Sequence, residues 1–247
     1  MAMDDRSGSV FIHLFKTGGT TITSHVALHL EKDREWVLVG THADRLRDEA
    51  GEPQPIDWPD ERRRALRVIT GHGTSLRSRE ILLDREPRLF TVFRDPAPLI
   101  VSRYNFFLSR RQVDMSFDEW YPTRKPNENH RRMRRLLECK NYGEIQEALR
   151  RFWFVGVTES LNDDLPHIFG AMGLPTEWKN RRVTGAGADL SDVDTKKVPG
   201  ERFAVERKLT LNDQIRDRVY GDNQKDLRLY RFARDLREEM VERLGWS

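Results

Sequence analysis

A lysine, three threonines and two adjacent glycines stand together at Lys16-Thr17-Gly18-Gly19-Thr20-Thr21, a set of donors suited to an anion. Glycines let the backbone come close to a ligand. A helix starting at this point adds unpaired N–H groups and a partial positive charge. Lys16 contributes a full charge, and Thr17, Thr20 and Thr21 contribute hydroxyls. Together they form a cradle for phosphate or sulfate. The same residues also read as an ordinary glycine turn, with Thr20 capping the helix and Lys16 in solvent. The order is not that of the nucleoside-triphosphatase P-loop, which requires glycine just before the lysine and again five residues earlier. Those positions hold Phe15 and Val10.

A second anion site is readable at Phe93-Arg94-Asp95-Pro96, with Ser102 eight residues after Arg94. The planar fork of Arg94 suits phosphate, and the Ser102 hydroxyl adds a donor. Arg-Asp-Pro is equally a common way to begin a helix, with Asp95 as cap and proline in the first turn. Histidine is the usual base near neutral pH, and His72, in Thr70-Gly71-His72-Gly73, is the candidate. The alternative is a histidine that fixes its loop by hydrogen bonds. His13 falls inside the first apolar run and reads as a structural group. His25 and His29 share a helix face but have no third ligand for zinc. His42, His130 and His167 carry no argument, and no metal site is expected.

The elements that must carry these groups follow from the hydrophobic pattern. Short apolar runs at 10–15, 36–39, 67–70, 89–93 and 152–157 predict strands. Helical spacing over about 20–30, 97–110, 128–138, 144–151 and 159–172 predicts helices between them. Strands alternating with helices predict a parallel sheet covered on both faces. The tail from 211 to 244 reads as helical. The polar stretch 175–199 reads as a long loop, and such loops in compact domains tend to be functional. The expectation is a single α/β domain over 1–247, a central parallel sheet flanked by helices. Lys16, His72 and Arg94 all follow strands, at the sheet edge where open α/β folds bind ligands.

The run Phe11-Ile12-His13-Leu14-Phe15-Lys16-Thr17-Gly18-Gly19-Thr20-Thr21 closely resembles the 5′-phosphosulfate loop of sulfotransferases that use 3′-phosphoadenosine 5′-phosphosulfate (PAPS). Within them it looks most like the carbohydrate group that includes heparan sulfate 2-O-sulfotransferase. Arg94-Asp95-Pro96…Ser102-Arg103-Tyr104 matches the family's 3′-phosphate site, R-D-P…S-x-Y. Phe154-Val155-Gly156-Val157-Thr158-Glu159 and Asp226-Leu227-Arg228-Leu229-Tyr230 resemble its late strand and terminal helix, so the likeness covers roughly residues 8–240. Phe15 departs from the proline usual before the lysine.

This resemblance implies a P-loop-like sulfotransferase fold and PAPS as sulfuryl donor, with no metal. It implies that Lys16, Thr17, Gly18, Gly19, Thr20, Thr21, Arg94 and Ser102 hold the donor. His72 takes the role of the base that the family places in a Gly-His after a strand, and Lys16 donates to the oxygen bridging sulfur and phosphorus. A basic loop late in the family's chain closes over the nucleotide. Its counterpart here is Asn180-Arg181-Arg182-Val183-Thr184-Gly185, with Arg181 and Arg182 the candidate contacts and Lys196 and Lys197 further ones, inside a loop of about 175–208. The implied acceptor is a hydroxyl of a carbohydrate or other small molecule.

Composition narrows the classes. The 247 residues carry 43 Lys and Arg against 40 Asp and Glu, a net +3 too even for a dedicated nucleic-acid binder. A single cysteine, Cys139, excludes an intrachain disulfide framework and any multi-cysteine zinc site. Twelve Phe, six Trp and five Tyr supply a core and argue against disorder. No apolar stretch approaches ~20 residues, and acidic residues stand where a secretory leader would be basic. The expectation is a cytoplasmic protein without a membrane anchor. Residues 110–140 hold nine basic and five acidic side chains. Their helix reads first as a solvated face, and second as a surface for an anionic glycan. The rivals are a nucleotide or small-molecule kinase, which should depend on Mg²⁺, and a non-enzymatic polyanion-binding module with steep salt dependence.

Overall fold

The computed structural model describes residues 7–40, 54–83, 86–109, 113–178 and 208–246. Five strands form one sheet: β1 (Ser9–Ile12), β2 (Trp36–Leu38), β3 (Val68–Thr70), β4 (Arg88–Phe93) and β5 (Phe154–Val157). Their order across the sheet is β2-β3-β1-β4-β5, and every pairing is parallel. β1 lies between its partners, with Ser9 opposite Val68 on one side and Arg88 on the other. The chain therefore leaves β1 in one direction and β4 in the other. That reversal opens a crevice at the carboxyl ends of the central strands.

Helices flank the sheet. They are α1 (Gly19–His29), α2 (Asp60–Ala65), α3 (Pro96–Ser109), α4 (Phe117–Trp120), α5 (Glu128–Leu136), α6 (Tyr142–Arg150), α7 (Leu161–Ala171), α8 (Asp213–Asp222) and α9 (Gln224–Leu244). The strands are near-continuous apolar runs because a parallel sheet is covered on both faces. Phe11, Phe90 and Phe154 are fully buried, and the Phe11 and Phe90 rings stack at 4.8 Å. α9 seals β5 with Leu229, Ala233, Leu236 and Met240. Asp164 of α7 pins it, accepting from Arg237 Nη2 at 2.6 Å. A second apolar cluster joins α3, α4 and α8 through Ala97, Ile100, Tyr104, Trp120 and Val219.

The tail is helical as expected, in two segments, α8 and α9. It breaks at Asn223, whose side chain donates to Val219 O and Tyr121 Oη, both at 2.9 Å, and accepts from Asn127 N at 2.8 Å. Apolar spacing continues through the break, so periodicity alone could not reveal it. The short α2 and α4 were not expected either, because six and four residues are too few to display a helical period.

Candidate active site

β1 ends at Ile12, and the chain turns through residues 13–18 before entering α1. Two residues of this turn adopt left-handed backbone, Lys16 with φ 66 and Gly18 with φ 94. Such a conformation is uncommon for a residue with a Cβ and is kept where surroundings enforce it. Part of that enforcement comes from the second motif: Arg94 Nη1 donates to Lys16 O at 3.2 Å. The Lys16 ammonium lies 4.6 Å from the centre of the Phe106 ring. The Thr17 hydroxyl donates to Leu14 O at 2.9 Å and is buried, so it ties the turn together from inside.

The glycines have a packing role beside the close ligand approach read in the sequence. A Cβ on Gly19 would collide with the His13 ring, and one on Gly18 with Leu161. Both glycines admit neighbours from the protein's own interior. α1 then begins with no acid in its first turn and no side-chain cap; Thr20 is within the helix and exposed, not its cap. The amides at this end keep the partial positive charge of the helix terminus.

Arg94 directly follows β4, half-buried, and Pro96 opens α3 as its first residue. Asp95 accepts from Ala97 N at 2.9 Å as a cap and from Tyr220 Oη at 2.6 Å. Burial and this carboxylate push the Tyr220 phenol up to about 12, so it remains a donor. Ser102 lies half-buried, seven residues into α3.

His72 occupies the turn after β3. Gly71 has φ 124, and a Cβ there or at Gly73 would strike the backbone of Val39 or Gly40. The flanking glycines thus result from packing against the chain that leaves β2. His13, read as a group within the first strand, stands just past its end. Its ring stacks on His72 at 4.1 Å and on Phe11 at 5.0 Å. Phe15 lies 5.5 Å from His72. A pile of rings runs from Phe90 through Phe11 and His13 to His72. The signal for it was the alternation of Phe11, His13 and Phe15 along one face of an extended chain.

A charge cluster borders this pile. Arg103, 6% exposed, donates to Glu128 Oε1 at 2.6 Å and lies 5.3 Å from the Phe15 ring. Burial raises the Glu128 carboxyl, but the Arg103 bond with the charges of Arg103, Arg124 and Arg132 outweighs it, leaving Glu128 below the usual range. The basic helix is therefore not wholly a solvated face. Arg131, Arg134 and Arg135 are exposed, whereas Arg132 is half-buried and donates from Nη2 to His72 O at 2.7 Å. Trp120 and Tyr121 are buried in packing; Phe106 and Phe107 are half-buried around Phe15.

The structure thus brings Lys16 and Arg94 into contact and places His72 on the neighbouring strand's turn. A cavity of about 290 Å³ adjoins α1, lined by Thr21, Ser24, His25, Leu28, Glu177 and Trp178 among others. His25 Nε2 there donates to Pro175 O at 2.8 Å; burial lowers its pKa, opposed by that carbonyl. Arg181, Arg182, Lys196 and Lys197 lie outside the described residues, as do Arg110, Arg111 and His42. Among the described residues no group of three His, Cys, Asp or Glu is placed to hold a metal ion. No described helix is long and apolar enough to cross a membrane.

No family model matches the chain, and no curated protein matches it. Among solved structures, a sulfotransferase from Alicyclobacillus acidocaldarius aligns over 97% of this chain and 98% of its own, at 12% identity and a TM-score of 0.44. At that level the likeness assigns neither a reaction nor a residue's role, and both rest on the side chains described above.

Proposed function

We propose that this protein is a sulfotransferase that moves a sulfuryl group from PAPS to a hydroxyl of a carbohydrate or other small acceptor. The observation that carries the reading is the contact of Arg94 Nη1 with Lys16 O at 3.2 Å. It joins two anion motifs separated by 78 residues of sequence at one sheet edge, beside a histidine. A donor with phosphate groups at both ends of its nucleoside suits two such adjacent sites. The cavity beside Thr21, with Trp178 in its lining, offers room for the purine.

In this reading the amides of Gly18, Gly19 and Thr20 and the Thr21 hydroxyl hold the 5′-phosphosulfate, and Arg94 with Ser102 holds the 3′-phosphate. His72 accepts the proton of the acceptor hydroxyl as its oxygen forms a bond to sulfur in line with the bond that breaks. The departing bridging oxygen takes the electron pair and leaves on 3′,5′-adenosine bisphosphate, where Lys16 stabilises its charge. Arg181 and Arg182 complete the nucleotide cover. An anionic glycan as acceptor and a cytoplasmic location belong to the same proposal, the former supported by the excess of arginine over carboxylate around Glu128.

Titration calorimetry with 3′,5′-adenosine bisphosphate, 5′-AMP and ATP tests the donor. A strong preference for the bisphosphate is expected. Tighter binding of ATP with Mg²⁺ would favour a kinase. Binding of polyanions alone, falling steeply with salt, would favour a docking module.

A further inference from the structure

His72 sits on a turn, yet a general base must stay within hydrogen-bond reach of the proton it removes. A catalytic group on a loop therefore depends on the groups that fix its backbone. Several anchors come from nearby. The Thr74 hydroxyl donates to the Phe11 or Gly71 carbonyl, each 2.7 Å away, and accepts from His13 N at 3.2 Å. Gly73 N donates to Val39 O at 2.9 Å. The His72 carbonyl is met from a distant element, by Arg132 Nη2 at 2.7 Å across 60 residues of sequence.

Arg132 is held for this contact. It lies on the α5 stripe of Asn129 and Leu136, both buried, while Arg131, Arg134 and Arg135 point outward. Its Nε is buried without a hydrogen-bond partner among the described residues. Burial and the Arg135 charge push the guanidinium below the usual arginine range. An arginine withdrawn from water at such a cost needs compensation. It finds this in the His72 carbonyl and the Glu128 charge. The helix that delivers it is itself fixed, because Asp226 of α9 accepts from Asn129 N at 3.1 Å and His130 N at 2.8 Å.

We propose that Arg132 is a positioning residue for His72. It grips the turn's carbonyl from α5 and so orients the imidazole, without touching donor or acceptor. The proposal rests on the reading of His72 as base.

The variants are Arg132→Met, which keeps the apolar stem, Arg132→Lys, His72→Ala and the double variant His72→Ala/Arg132→Met. The misplaced imidazole of Arg132→Met should lower kcat by about 10- to 100-fold. The acceptor KM and the bisphosphate Kd should stay as they were. Arg132→Lys should recover part of the loss. In the His72→Ala background, Arg132→Met should add nothing, since it acts through the missing ring. A raised acceptor KM at unchanged kcat, or an independent further loss in the double variant, would overturn the proposal. A second readout does not depend on the reaction. The His72 imidazole resonances and the hydrogen exchange of the 71–74 amides should change in Arg132→Met and not in Arg131→Met. If these signals are unchanged, Arg132 is not the anchor, even if sulfuryl transfer is confirmed. If they change and no sulfuryl transfer occurs, the anchor stands and the assigned reaction fails. Should Arg132→Met not fold, the same comparison between Arg132→Lys and the parent chain decides.

Discussion

Two helices begin beside the site and treat their first amides in opposite ways. At α5, the Asp226 carboxylate accepts from two backbone N–H groups and Glu128 adds an acid to the first turn. At α1, the first turn has neither an acid nor a side-chain cap. The chain has the means to cap and uses them elsewhere: Ser116 caps α4, Asn141 caps α6 and Asn212 caps α8. Among the described helices of eight residues or more, α1 alone begins without either device. An internal carboxylate makes a helix end a joint. Withholding it, next to Lys16 and Arg94, leaves the end suited to an anion from outside.

The sharpest way to break this contrast is to remove the groups that use the open end. His72→Ala and Lys16→Ala should each lower kcat by about 100-fold or more, measured as sulfuryl transfer from PAPS. Undiminished turnover in Lys16→Ala would defeat the assignment. Arg94→Ala comes next. Loss of a charged hydrogen bond should weaken bisphosphate binding by about 10- to 100-fold in calorimetry and erase its advantage over 5′-AMP.

A milder change makes α1 resemble α5. Thr20→Glu puts an acid in the exposed first turn, which should hold or raise unfolding stability through the helix dipole, by about 0.3–1 kcal/mol in urea titration. The same charge should weaken bisphosphate binding by about 10-fold, a cost of about 1.4 kcal/mol. Stability and affinity moving together would show that this end does not face the ligand.

The smallest effect concerns the joint at α5. Burial pushes Asp226, 6% exposed, from 3.8 to about 6, against the pull of its two backbone donors. Its folded pKa lies above its unfolded one, so the native state binds the extra proton and this group adds stability as pH falls. Urea midpoints at pH 7 and pH 5 should show the parent chain gaining about 1 kcal/mol relative to Asp226→Asn. His130, lowered by burial, works in the opposite direction but is present in both chains. Equal responses of the two chains to pH would show that the carboxylate is not buried in the joint.

The strands and the two anion motifs were legible because their signals are local. A buried parallel strand is a short apolar run, and Lys16, His72 and Arg94 each stand within four residues of the end of one. What escaped depends on contacts between distant segments. Arg132 has the same chemistry as Arg131, Arg134 and Arg135, and only its phase marks it, three residues after Asn129 and four before Leu136. The break at Asn223 is made by Tyr121 and Asn127, about a hundred residues away in the chain. His13 belonged to the strand by pattern, but β1 ends one residue earlier and its ring turns toward His72. The glycines at 18 and 19 were read for a ligand; that they also make room for Leu161 and His13 depends on segments the local sequence does not show.

The left-handed backbone at Lys16 has a price for durability. Glycine adopts that shape without steric penalty, whereas an L side chain gives up roughly 1–2 kcal/mol to hold it. A screen for heat resistance alone should therefore replace Lys16 with glycine or asparagine and return a tougher, inert protein. Engineering for longevity has to begin elsewhere, for instance at Glu138 with φ 58, because the cost carried at Lys16 belongs to a residue the proposed chemistry needs.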